Sequence, residues 1–151
     1  MKKSGLITAL AAGMILLAGC GSTQKDIDAS ALAKSLVSDI TYDDQLEQID
    51  EDDVSVYIDV PEKVNTIMYM GSGSTAEEVA VFTAPDAETA RTTEENVQSF
   101  LDDQSDSFEK YIPEETKRIS NAVLEQKGKY VVLCVSGDSD KAKEIIEKAF
   151  K

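Results

Sequence analysis

The sequence predicts an α+β fold: a four- or five-stranded antiparallel or mixed sheet made of two hairpins, packed by a long central helix and by N- and C-terminal helices. Three observations lead there. Asn65–Met70 and Glu78–Thr83, rich in Ile, Val, Tyr, Phe and Met, flank Gly71-Ser72-Gly73-Ser74, and residues 119–126 and 129–136 flank Lys127-Gly128, so each pair reads as a hairpin. Between the pairs, Ala87, Ala90, Val97, Leu101 and Phe108 share one face of a stretch whose other faces carry Glu94, Glu95, Asp102, Asp103, Asp106 and Glu109, the pattern of a helix lying on a sheet. After them, Ala142, Ile145, Ile146, Ala149 and Phe150 recur with helical spacing.

Taken from the N-terminal side, Leu32, Leu36 and Ile40 recur every four residues after Ser30, a candidate N-cap, and predict a first amphipathic helix. Residues 43–53 read as an acid-dense loop tucked in by Leu46 and Ile49. Residues 54–59 alternate Val54, Val56 and Ile58 with other positions, which predicts a short edge strand ended by Pro61. Thr83-Ala84-Pro85-Asp86 offers a capping oxygen, a proline suited to a first helical turn and an acid favoured by the helix dipole. Pro113 ends the long helix after Tyr111. The segment Tyr130-Val131-Val132-Leu133-Cys134-Val135 is apolar on both faces, as an interior strand requires, and Asp138 caps the last helix.

The N-terminal segment carries an address. Lys2 and Lys3 precede an uncharged apolar stretch, residues 6–17, and Leu17-Ala18-Gly19-Cys20 then has the form of a bacterial lipobox. The apolar stretch is shorter than the roughly 20 residues a membrane-spanning helix needs. Residues 1–19 are therefore expected to be a lipoprotein signal peptide cleaved between Gly19 and Cys20. Cys20 would carry a diacylglyceryl thioether and an N-acyl group such as palmitate, because one chain alone binds a membrane only marginally. Residues 20–29 read as a short lipidated tether and 30–151 as a single domain. The expected location is the extracytoplasmic face of the cell membrane.

Composition narrows the partners. The chain has 15 Lys and Arg against 29 Asp and Glu, a formal charge of -14, and loss of Lys2 and Lys3 with the signal takes it to -16. So acidic a domain is repelled by nucleic acid and by anionic lipid, so membrane contact is expected through the Cys20 lipid only. Cys20 and Cys134 are the two cysteines; with the first lipidated no internal disulfide forms, and Cys134 reads as a small buried hydrophobe.

Chemistry is sparse. The chain has no histidine, which removes the commonest general base and the commonest zinc ligand. Carboxylate-only catalysis would need one acid held in an apolar wall and a cleft beside it, and no spacing here marks such a pair. Asp138-Ser139-Asp140 begins like a calcium loop but has Lys143 where that loop turns on glycine, so helix capping accounts for it. Asp50-Glu51-Asp52-Asp53 reads as solvated charge rather than a dedicated cation site, and Gly71-Ser72-Gly73-Ser74 as a turn rather than a phosphate cradle. No metal or cofactor is expected. The candidate interaction surface is a rim of Tyr57, Tyr69, Tyr111 and Tyr130 with Glu77 and Glu78.

In order along the chain, Ala76-Glu77-Glu78-Val79-Ala80-Val81-Phe82, Tyr111-Ile112-Pro113-Glu114 and Gly128-Lys129-Tyr130-Val131-Val132-Leu133 resemble the signature pieces of an uncharacterised Gram-positive, clostridial lipoprotein family that carries a domain of unknown function, DUF4358. Thr83 stands where that pattern often continues with lysine. The resemblance implies a lipobox ahead of one small domain and supplies no activity, ligand or site residue. The expected function is a binding or interaction module of the cell envelope with a protein or peptide partner, not an enzyme; a carboxylate-dependent envelope enzyme and a structural or cation-binding component are the alternatives.

Overall fold

The computed structural model describes residues 25–151. The lipobox and Cys20 lie outside them. Five strands, β1 (Glu47–Ile49), β2 (Asn65–Met70), β3 (Glu78–Thr83), β4 (Val123–Lys127) and β5 (Tyr130–Val135), form one sheet in the order β1-β2-β3-β5-β4. Every neighbouring pair is antiparallel. The fold is α+β, as the sequence predicts, with the count of strands settled at five and no parallel pair.

Helices cover both faces. α1 (Ala29–Asp39) and α4 (Ser139–Ala149) lie on one, where Leu32, Leu36, Ile145 and Ile146 meet Val79, Val81, Val132 and Cys134. The 25-residue α2 (Ala87–Tyr111) lies on the other, where Val97 and Leu101 meet Ala80, Phe82, Val131, Leu133 and Val135. Alternate residues of β3 and β5 thus feed opposite cores, which is why Val79–Phe82 and Val131–Val135 are apolar without a break.

Several local expectations are corrected. Residues 54–59 are not a strand. Glu51–Val56 is a 3-10 helix, and Val54 and Ile58 are buried four residues apart while Val56 between them is 77% exposed. A helical spacing of apolar residues had the look of alternation because the segment is too short to separate the two periods. The fifth strand is instead β1, inside the acid-dense loop, where three residues pair with Met68, Tyr69 and Met70. Asp28, not Ser30, caps α1 by accepting the Ala31 N–H, and Asp86, not Thr83, caps α2 by accepting the Thr89 N–H, so Pro85 stands ahead of the helix.

Pro113 ends α2 but also opens α3 (Pro113–Ser120), since a proline is suited to a first helical turn. Ile119 consequently belongs to a helix, and β4 begins at Val123. Lys127 pairs with Tyr130, which makes Gly128-Lys129 the turn, with Gly128 at a φ of 58°. The packed fold also starts before residue 30: the Ile27 N–H and the Asp26 carboxylate both bond the Tyr130 hydroxyl.

The strands give the domain two ends. Tyr130 pairs with Thr83 at one, beside the Gly128 turn; Val135 pairs with Glu78 at the other, beside the Gly71 turn. α1 runs from Ile27, at the first end, towards Tyr42, whose hydroxyl lies 3.6 Å from the Cys134 thiol near the second.

Candidate functional site

Glu77, the residue before β3, is the centre of a polar cluster at the second end. Its side chain is 1% exposed, and its carboxylate accepts the N–H groups of Asp43 and Asp44 at 2.9 Å each and the Thr75 hydroxyl at 3.3 Å. Arg118 Nη1 lies 3.4 Å from Glu77 Oε1 and 3.0 Å from Glu115 Oε2, while Nη2 bonds Asp43. Glu115 Oε2 also accepts the Ala76 N–H at 2.8 Å. One guanidinium therefore serves three carboxylates, and the backbone N–H groups supply the remaining positive ends. The cluster ties the loop after α1, the entry to β3 and α3 into one corner.

A recess of about 240 Å³ opens beside it, lined by Lys117, Arg118, Asn121, Ser136, Gly137 and Ser139 together with Glu114. Tyr111, four residues before Glu115 at the α2–α3 junction, is 84% exposed. The glycine turn belongs to the same end, and it binds an anion of its own: the Asp44 carboxylate accepts the Ser72 N–H and the Ser72 hydroxyl at 2.7 Å each, which holds its pKa below the ordinary value. The turn is thus committed to a carboxylate from within the chain.

The candidate rim does not assemble as one surface. Tyr57 is 45% exposed on the 3-10 segment, and Tyr69 is half-buried with its hydroxyl donating to Gln48. Tyr130, Glu77 and Glu78 are buried. Glu78 points from β3 into the core under α2, where burial pushes its pKa up to about 8 and a long 3.5 Å bond from Gln104 Nε2 opposes the shift. Burial likewise raises the Cys134 thiol, with Tyr42 pulling the other way. The sequence reading missed Arg118 and Glu115. Their spacing of three on a proline-led helix was the available signal; the contact of Arg118 with Asp43, 75 residues away, left none.

The larger groove, about 410 Å³, runs between α1 and α4 and is lined by Lys25, Asp28, Leu32, Lys141, Ile145 and Lys148 among others. Among the described residues no group of three or more His, Cys, Asp or Glu is arranged to hold a metal ion, and no helix is long and apolar enough to cross a membrane.

No curated protein and no solved structure matches the chain. One family model does, over residues 43–136, a span that holds the whole Arg118 cluster and leaves α1 and α4 outside it. The chain belongs to the family of the domain of unknown function DUF4358.

Proposed function

We propose that the protein is a lipid-anchored lipoprotein of a Gram-positive, clostridial cell envelope, exposed on the extracytoplasmic face and acting as a binding module for an envelope protein or peptide. The lipobox at Leu17-Ala18-Gly19-Cys20 supports the location. The binding role rests on two features near the α2–α3 junction: the exposed ring of Tyr111, the last residue of α2, and the recess lined by Lys117 and Arg118 of α3, which offer a partner an aromatic anchor and polar groups. Both sheet edges are poor docking sites by comparison. β1 has only three residues, and on β4 the Gln126 N–H donates to Glu94 of α2.

The carboxylate-enzyme reading has one observation in its favour, the raised pKa of Glu78. That residue is fully buried, however, and lines neither of the two cavities described above.

Two measurements test the proposal. Metabolic palmitate labelling should mark the wild-type chain and not Cys20→Ser; equal labelling of both would overturn the anchor. A photo-crosslinking residue at position 111 should capture a discrete envelope protein that the same residue at position 57 does not. Identical products from both positions, or none, would overturn the binding role.

A further inference from the structure

We infer that the domain stands on the membrane in one orientation, with the end formed by Lys25, the Gly128 turn and the C-terminal end of α4 set against anionic phospholipid headgroups and the Arg118 end facing outward. The inference rests on the lipidation of Cys20 proposed above.

The geometry starts from where the chain leaves the described fold. Asp26 is held by Lys129 Nζ at 2.7 Å and by the Tyr130 hydroxyl at 3.2 Å, and the Ile27 N–H donates to the same hydroxyl at 3.3 Å. The Tyr130 ring is itself fixed edge-on against Phe150, 5.7 Å between centroids. The exit point is thus clamped to the Gly128 turn and to the end of α4. From Cys20 to Lys25 the chain advances five residues, which span at most roughly 18 Å even when fully extended. A lipid on Cys20 therefore brings this end, and not the other, to the headgroups. The six-residue strands put the Glu78 end roughly 17 Å further out.

Charge agrees with that placement. The clamped end gathers Lys25, Lys127, Lys129, Lys148 and Lys151 in a chain that is otherwise strongly acidic. Glu125, Asp26 and Glu147 pair with three of these, while Lys25 and Lys148 form no ion pair among the described residues. Asp28 and Asp86 at this end are engaged as N-caps and Glu88 stands in the first turn of α2, so the five lysines and the six acids of this end nearly cancel. The second half of α2, which reaches Glu78 through Gln104, carries Asp102, Asp103, Asp106 and Glu109 against one Lys110. Turned over, the domain would press those acids into an anionic surface, where charges interact strongly within a Debye length of about 8–10 Å. The strong negative charge of the whole domain is compatible with close membrane contact because it is carried away from this end.

The test uses the mature chain, residues 20–151, coupled through the Cys20 thiol to a maleimide lipid; Cys134 is buried and stays uncoupled. The coupled protein is placed on nanodiscs of phosphatidylcholine with or without phosphatidylglycerol, doped with a gadolinium-chelating lipid, and amide broadening is read by NMR. With phosphatidylglycerol present, Gly128, Lys129 and Phe150 should broaden more than about tenfold over Ser72 and Ser74, given the inverse sixth-power dependence and the roughly 17 Å between ends. Lys25→Glu with Lys148→Glu should abolish the difference between the two lipid mixtures. Asp26→Ala with Tyr130→Phe, checked for folding by circular dichroism, should even out the broadening between the two ends. Equal broadening in the wild type, stronger broadening at Ser72, or no effect of phosphatidylglycerol would overturn the orientation. Because the coupling is chemical, none of these depends on lipidation in the cell, which palmitate labelling reads separately.

Discussion

Glu78 and Gln104 face each other between the sheet and α2, with Gln104 Nε2 3.5 Å from Glu78 Oε2 and the remaining oxygen of each, Glu78 Oε1 and Gln104 Oε1, without a partner among the described residues. A proton on Glu78 turns one of these two unpartnered acceptors into a donor. A protonated Glu78 donates to an amide oxygen and accepts from the amide N–H, so acid and amide satisfy each other.

The first prediction follows from the proton. Glu78 titrates near 4.5 in the unfolded chain and at about 8 in the fold. Between those values the folded state holds a proton that the unfolded state has lost, so the stability from this group is complete below pH 4.5 and drains away as pH rises to about 8. At roughly 1.4 kcal/mol per unit, the loss amounts to a few kcal/mol. Glu78→Gln copies the protonated form. It should remove most of this slope and make the protein more stable than wild type at pH 8, as urea unfolding across pH 5–9 would show; a variant less stable than wild type at pH 8 would refute the assignment.

The second concerns the corner around Glu77. Glu77→Ala leaves the N–H groups of Asp43 and Asp44 without their acceptor and Arg118 without its most buried partner. A cost of about 2–4 kcal/mol is expected in chemical denaturation. Arg118→Met should cost a similar amount by leaving the carboxylates of Glu77, Glu115 and Asp43 against one another. The double variant should cost less than the sum by at least about 1 kcal/mol, because each change removes part of the other's penalty. Additive costs would mean that the residues do not act as one cluster.

How much of this was legible in the sequence depends on distance along the chain. The two hairpins, α2 and α4 are local patterns of adequate length, and Asn65–Met70, Glu78–Thr83 and Asp138 as a cap stand where the sequence puts them. The 3-10 turn at Val54 has no distinct mark in the sequence, because three apolar residues two apart fit a strand as well as a helix viewed in part. β1 was invisible because a three-residue edge strand owes its existence to Met68–Met70, not to its own residues. The corner at Arg118 was invisible for a different reason: its partners come from three separate segments, and acids on a strongly acidic chain carry no mark of which one is buried.

The third prediction tests the Gly71 turn. A Cβ on Gly71 would sit 2.8 Å from Asp44 Oδ2, the oxygen that accepts both Ser72 bonds. Gly71→Ala should therefore displace Asp44 and cost about 1 kcal/mol. In an Asp44→Gly background the carboxylate and its Cβ, 3.3 Å from the added methyl, are both gone, and the same substitution should be nearly neutral. A full cost in both backgrounds would place the strain in the backbone instead.

The last prediction concerns Cys134. The thiol is 1% exposed, its pKa is raised by burial, and Tyr42 closes over it with a hydroxyl that also donates to the Leu36 carbonyl at 3.0 Å. An alkylating reagent needs an exposed thiolate, and here neither condition is met in the folded state. In a Cys20→Ser chain, labelling of Cys134 should therefore follow unfolding, accelerating in urea in step with the loss of tertiary structure seen by near-ultraviolet circular dichroism. Tyr42→Phe keeps the ring and removes the link to Leu36. It should hasten labelling only as far as it lowers overall stability, since the cover over Cys134 is the packing of α1 and α4 on β5 and not that one hydroxyl. Rapid labelling in native buffer, at a rate indifferent to urea, would show a local opening of α1.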